Sequence, residues 1–359
     1  MYTVRVNGLT LFCTMSNKLL IYTFLFSLGL LGVFGYVVFT KSDEMGRQNL
    51  PVQAGIADTT GTEYWHAPDI STLEKNPERE AILYGKDLIS RTAYYLGPKG
   101  SVAQTTNGMN CQNCHLDAGT KVFGNNYGSV FANYPKYRPR SGTKENIQKR
   151  VTDCFERSLN GKAPDSSSVE MKAIVAYINW LGKDVAKGEK AAGSGFKDIA
   201  FLDRPADPEK GKMVYVQKCQ SCHQLNGEGV KDADGIVYTY PPLWGEHSYN
   251  IGAGLYRLAS FAKYIKYNMP FGANYLNTQL SDEEAWDLAA FVNSQPRPSK
   301  DLKKDWPKTE EKPFDHPFGP YADGFTEVQH KYGPFQPIKD KLDAIRKQKE
   351  AAKQKKQTS

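Results

Sequence analysis

Cys111-Gln-Asn-Cys-His115 and, further along, Cys219-Gln-Ser-Cys-His223 decide how this chain is read. In Cys-x-x-Cys-His the two thiols form thioethers with the vinyl groups of a haem, and the histidine becomes the proximal iron ligand. Paired cysteines also hold zinc or run thioredoxin-type exchange. Neither chemistry asks for histidine directly after the second cysteine, and here both copies have it. Two covalently bound c-type haems are therefore expected, one on Cys111, Cys114 and His115, the other on Cys219, Cys222 and His223.

The rest of the composition suits that reading. The chain has 359 residues, 40% of them hydrophobic, enough for two modest domains with extensions. Its 31 glycines and 20 prolines point to loop-rich units, and 21 tyrosines and 17 phenylalanines suit small domains wrapped around a flat apolar cofactor. Residues 338–359 carry eight Lys/Arg against three Asp/Glu, so five of the seven net positive charges sit there. The remainder is near balance, which speaks against a general nucleic-acid-binding surface.

The N-terminus sets the compartment. Residues 19–39 contain no charge and are long enough to cross a hydrocarbon core of ~30 Å as a helix. A secretory signal has a shorter apolar stretch and a small-x-small cleavage site. Thr40-Lys41-Ser42 is a poor site, and Val52-Gln53-Ala54 lies far downstream. A retained membrane anchor is favoured over a cleaved signal. Both deliver the chain to the periplasm, where haem is attached covalently. Cys13 precedes the apolar run, so Cys154 is the one unexplained cysteine of the exported part.

Two units with one internal order follow. In the first, Asn76 caps and Pro77 opens a helix with an Ile82, Leu83, Leu88 stripe. Cys111 to His115 comes next, then a long loop, then a helix from about Ser168 to Leu181 that Gly182 stops. In the second, Asp207-Pro208 starts a helix running into Cys219. A Gly, Tyr and Pro-rich loop leads to the capping box Ser281-Asp-Glu-Glu284 and a last helix ending near Pro296. Helix, haem motif, loop and amphipathic helix is the order of class I cytochrome c domains. The expected fold is all-α: two tandem class I cytochrome c domains, an N-terminal transmembrane helix and an irregular C-terminal extension. The expected divisions are 1–40 for the anchor or signal, 41–62 for a tether, 63–195 and 196–297 for the cytochrome domains, and 298–359 for the extension with its basic tail. That tail reads as a frayed, solvated helix or as a patch for an acidic partner or lipid headgroups.

The sixth iron ligands separate the units. Asn268-Met269-Pro270 lies ahead of the last helix of the second unit, the usual place of a distal methionine, whose weakly donating thioether raises the potential. Lys263, Lys266 and His247 are the rivals, and methionine as core filler is the bland alternative. Between His115 and the last helix of the first unit there is no Met or His. Cys154 is the available strong donor there, and a thiolate lowers the potential. The plain alternative is a buried free thiol.

Asn110-Cys-Gln-Asn-Cys-His-Leu-Asp-Ala-Gly-Thr120, Tyr137-Arg-Pro-Arg-Ser-Gly-Thr143 and Arg150-Val-Thr-Asp-Cys-Phe-Glu-Arg-Ser-Leu-Asn-Gly161 resemble the thiosulfate dehydrogenases, di-haem cytochromes c. Tyr64-Trp-His-Ala-Pro-Asp69 and Tyr267-Asn-Met-Pro270 extend the resemblance, which covers residues 62–295. It is more distant to the haem–thiolate cytochromes of the sulfur-oxidation system. The resemblance implies oxidation of two thiosulfates to tetrathionate, or the reverse, at a haem ligated by His115 and Cys154. Electrons would leave through a haem ligated by His223 and Met269 to another cytochrome c or a periplasmic or membrane carrier. It implies Arg140 and Arg150 as anion-binding arginines, with haem-propionate pairing as their alternative role, and Ser158 as a nearby hydroxyl. A guanidinium fork suits sulfonate oxygens. Some relatives have lysine before the distal methionine; Asn268 here implies stable His223/Met269 ligation. A non-catalytic di-haem electron carrier of a membrane dehydrogenase is the competing function. It needs neither a Cys154 thiolate nor an arginine pocket.

Overall fold

The computed structural model describes residues 5–6, 9–10 and 63–357. Of residues 1–59, a unit separate from 60–359, only a short pairing of Arg5–Val6 with Leu9–Thr10 is described. The apolar run 19–39 and the tether 41–62 lie outside the described residues. Among the described residues no helix is long and apolar enough to cross a membrane.

The first cytochrome unit is built on two crossing helices. Helix α1 (Pro77–Ser90) starts where the Asn76 side chain accepts from Arg79 N, with proline at N1 and Glu78 and Glu80 against the positive end of the helix dipole. Its buried face is Ile82, Gly85, Leu88 and Ile89. It crosses α3 (Val169–Leu181), which Ser168 caps and Gly182 ends. A Cβ on Gly85 would lie 2.0 Å from Ala173 O, so only glycine permits this approach. Between these helices, where a long loop was expected, stands α2 (Ile147–Arg157), capped by Asn146. It buries Ile147, Val151 and Phe155 at i, i+4 and i+8.

The second unit repeats the crossing. Helix α4 (Pro208–Lys218) is capped by Asp207 and runs into Cys219. Helix α6 (Asp282–Ser294) opens on the Ser281/Glu284 capping box. They meet at Gly211, where a Cβ would stand 1.9 Å from Asp287 O. The expected loop again hides a helix, α5 (Leu258–Asn268), which delivers Met269. No local side chain caps α5; instead Asp315 of the extension accepts from Ala259 N at 3.0 Å and pairs with Arg257.

Residues 63–357 are helix-rich, with two short antiparallel ladders in their loops: β1 (Lys136–Arg138) with β2 (Thr143–Glu145), and β3 (Val230–Lys231) with β4 (Tyr238–Tyr240). Each unit has its own hydrophobic core. The extension is tied down by side chains. The Asp305 carboxylate accepts both Arg157 Nη atoms at 2.8 Å, and Tyr137 donates to Glu311. Its last helix, α7 (Gln336–Gln357), is anchored at its start: Phe335, Ile338 and Leu342 are buried in the second core. A tail solvated throughout is therefore corrected for these first turns. Burying an aliphatic side chain stabilises by about 1.5–3 kcal/mol, which outweighs fraying there.

Candidate haem pockets and active site

Each haem motif sits on a turn fixed by backbone hydrogen bonds. Thr92 Oγ1 accepts from Cys111 N at 3.0 Å, and Asn110 Oδ1 accepts from Ala93 N at 2.8 Å, holding the motif against the short helical turn Thr92–Leu96 that follows α1. His115 Nδ1 lies 2.6 Å from Asn125 O, and His223 Nδ1 lies 2.9 Å from Pro241 O. A carbonyl only accepts, so Nδ1 carries the proton and Nε2 keeps its lone pair for a metal. Burial lowers both imidazoles, His115 to about 4, and so favours the neutral form a metal requires. The His115 ring also stacks on Tyr127, centroids 4.4 Å apart.

Both histidines face cavities of cofactor size. The first encloses about 1060 Å³ including its open mouth, the second about 670 Å³. The first has Cys111, Cys114 and His115 on one side and Arg150, Cys154 and Ser158, all from the α2 segment, on another. One helical turn separates Arg150 from Cys154 and another reaches Ser158, so helical spacing puts the three on one face. The Cys154 sulfur is the main cause holding the Arg150 guanidinium above its usual range. The second cavity has Cys219 and His223 with Met269 on its wall, among Leu243, Phe261, Ile265, Leu288 and Val292. Lys263, Lys266 and His247 do not line it.

Arg140 is placed elsewhere. It does not line the first cavity but a small one beside residues 251–257 and the extension. Its Nη1 donates to Gly252 O at 2.9 Å, and its guanidinium lies 5.7 Å from the Trp306 ring. Burial lowers it to about 10, with Arg157 and Arg150 adding repulsion. Lys136 and Arg138 line the first cavity instead. The sequence held a signal for them, because Arg138 lies within the Tyr137–Thr143 stretch and Lys136 directly before it, but only the strand register shows which side chains turn inward. Also unanticipated, Met109 and Cys114 line both cavities, and Tyr264 donates to Asn113 O at 2.7 Å. The two pockets therefore share a wall.

The SoxA/TsdA cytochrome c domain family matches residues 101–186, and the cytochrome c family matches residues 208–296. The thiosulfate dehydrogenase of Psychrobacter arcticus is 37% identical over 271 residues, covering 74% of this chain and 79% of that protein. The chain belongs to the thiosulfate dehydrogenase family. The family's Allochromatium vinosum protein is 41% identical over 235 residues, covering 64% of this chain and 83% of that one. A solved thiosulfate dehydrogenase (TsdBA) from Marichromatium purpuratum superposes with a TM-score of 0.61 at 30% identity, covering 66% of this chain. The match spans half of that longer solved chain, 50%.

As a family member with two cytochrome c domains, the chain carries two covalently bound c-type haems. The residues fit them. The first cavity presents both cysteines of its motif and a neutral imidazole, and the second presents Cys219 and a neutral imidazole.

Proposed function

We propose that the chain oxidises thiosulfate to tetrathionate in the first cavity and passes the electrons out through the second. One observation carries this reading. In a member of the thiosulfate dehydrogenase family, a cysteine sulfur, a guanidinium and a hydroxyl, those of Cys154, Arg150 and Ser158, border the same cavity as His115. A pure electron carrier has no use for that set.

His115 and Cys154 would hold the first iron, and His223 and Met269 the second. When bound, the two haems supply one-electron acceptors. Arg150 binds a sulfonate of the first thiosulfate through its fork, and Ser158 offers that sulfonate a donor. The Cys154 thiolate and the outer sulfur of thiosulfate join in a sulfur–sulfur bond, giving Cys–S–S–SO3⁻ and releasing two electrons. A second thiosulfate attacks the outer, thiosulfate-derived sulfur of that disulfide. Tetrathionate leaves and the Cys154 thiolate returns. The sum is two thiosulfates to one tetrathionate and two electrons. The Cys154 sulfur in turn holds the Arg150 guanidinium in its charged, anion-binding form.

The shared wall at Met109 and Cys114 supports a short path between the sites. The thioether of Met269 supports a higher potential at the second, so electrons run outward. The apolar N-terminal run and covalent haem attachment support a periplasmic location at the inner membrane, with another cytochrome c or a membrane carrier as acceptor. Mixing the oxidised holoprotein with thiosulfate tests the proposal. Both haem α-bands should grow and tetrathionate should accumulate when an acceptor is present. No reduction at millimolar thiosulfate would refute it.

A further inference from the structure

The reaction brings two dianions together, and Arg150 alone is one cation. The first cavity has no Asp or Glu on its lining, while Lys136, Arg138 and Arg150 all border it. Lys136 and Arg138 are two apart on β1 and so point to the same side, while Tyr137 between them turns away to Glu311 and Lys308. Arg138 is engaged. Its Nε lies 3.8 Å from the buried Glu145 carboxylate, and its Nη1 donates to Tyr134 OH at 3.0 Å. Lys136 differs. It is exposed, it has no acidic partner among the described residues, and its ammonium lies 5.0 Å from the Tyr134 ring centroid. Desolvation against the cavity wall lowers its ammonium from the usual range, and repulsion from Arg138 and Arg150 adds to this. Uncompensated positive charge therefore gathers on the wall where Lys136 reaches the solvent.

We propose that Lys136 is the binding residue for the second thiosulfate. This rests on the function proposed above. With Arg150 holding the sulfonate of the Cys154 adduct, the incoming anion meets a site already carrying negative charge. The Lys136 ammonium holds its sulfonate at the mouth of the cavity while its outer sulfur attacks the adduct. No atoms or electrons enter through Lys136; it offsets the repulsion between like-charged reactants and then releases tetrathionate. A flexible, hydrated ammonium suits a group that must bind and let go, where a planar guanidinium fork suits the anion that stays.

The test uses the holoenzyme with Lys136→Gln and Lys136→Arg, and separates the two half-reactions. Stopped-flow reduction of the haems in the first turnover reports the first thiosulfate; steady-state turnover reports the second. Lys136→Gln should leave the first phase within twofold of wild type. It should raise the steady-state KM for thiosulfate roughly tenfold, as expected on losing one charge-assisted hydrogen bond, and flatten the salt dependence of kcat/KM. Lys136→Arg should restore most of the loss. An unchanged KM in Lys136→Gln would overturn the proposal, and so would an equal loss in both phases. Should wild type show no thiosulfate-driven haem reduction, the underlying function fails instead, an outcome distinct from either result with the variants. Melting temperatures matching wild type would show that the exposed substitution leaves the fold intact.

Discussion

Gly211→Ala sets helix propensity against packing. Propensity alone favours alanine in a helix by about 1 kcal/mol. Gly211, however, sits where α4 meets α6, and a Cβ there would stand 1.9 Å from Asp287 O, 2.4 Å from Asp287 C and 2.9 Å from Leu288 N. All three atoms are backbone, so no side chain can swing aside. Reaching ordinary contact at 3.4 Å, from 1.9 Å, demands that the helices part by about 1.5 Å. That gap opens the interface formed by Val214 and Tyr215 of α4 with Trp286, Leu288 and Ala289 of α6. Overpacking of this kind costs about 1–3 kcal/mol, and rigid backbone obstacles put this case at the upper end. The net expectation is a loss of about 1–2 kcal/mol after the propensity gain. Urea unfolding of the holoprotein, followed by far-UV circular dichroism, reads it. Lys212→Ala, on the exposed side of α4, serves as control and should stay within about 0.5 kcal/mol of wild type. A Gly211→Ala protein as stable as wild type would refute the packing argument for both units, since Gly85 stands in the same relation to Ala173 O.

Asp305→Ala leaves the Arg157 guanidinium without its bidentate partner in a pair whose side chains are only 10% and 11% exposed. Breaking such a pair from one side costs about 3–5 kcal/mol, and the same urea titration should show it. Met269→Ala should abolish the weak near-infrared charge-transfer band of an oxidised Met–haem centre and lower the potential of one haem while leaving the other in place. Optical spectroelectrochemistry checks both effects.

Local chemistry made much of this molecule legible. The haem motifs, the Asn76, Ser168 and Asp207 caps and the Ser281/Glu284 box are set within a few residues, and the structure has each helix where they put it. What escaped depends on distant partners. Helix α2 looked like loop because its 11 residues are rich in charge, although Ile147, Val151 and Phe155 carry helical spacing. Helix α5 lacks a local cap, since its capping carboxylate is Asp315, which a sequence window does not connect to Ala259. The start of the tail looked solvated because its apolar residues are few; Ile338 and Leu342 are nevertheless one helical turn apart and bury together.

The candidate site was legible to the same degree. Cys154, Arg150 and Ser158 come together because they share a single helical segment, so their spacing alone places them. Arg140 belongs to the turn between β1 and β2, and there the backbone path decides the direction of each side chain. Its guanidinium goes to Gly252 and Trp306, while Lys136 and Arg138 face the cavity.

Protein-film voltammetry on wild type and Cys154→Ala, with thiosulfate and then tetrathionate in solution, tests the central claim most directly. Wild type should give a catalytic current on thiosulfate, and current of the opposite sign with tetrathionate would show that the same site runs in reverse. Cys154→Ala should keep two non-catalytic haem signals, with the lower-potential one displaced, and lose the catalytic wave. A Cys154→Ala film that turns over thiosulfate as wild type does would contradict the claim that this sulfur carries the chemistry.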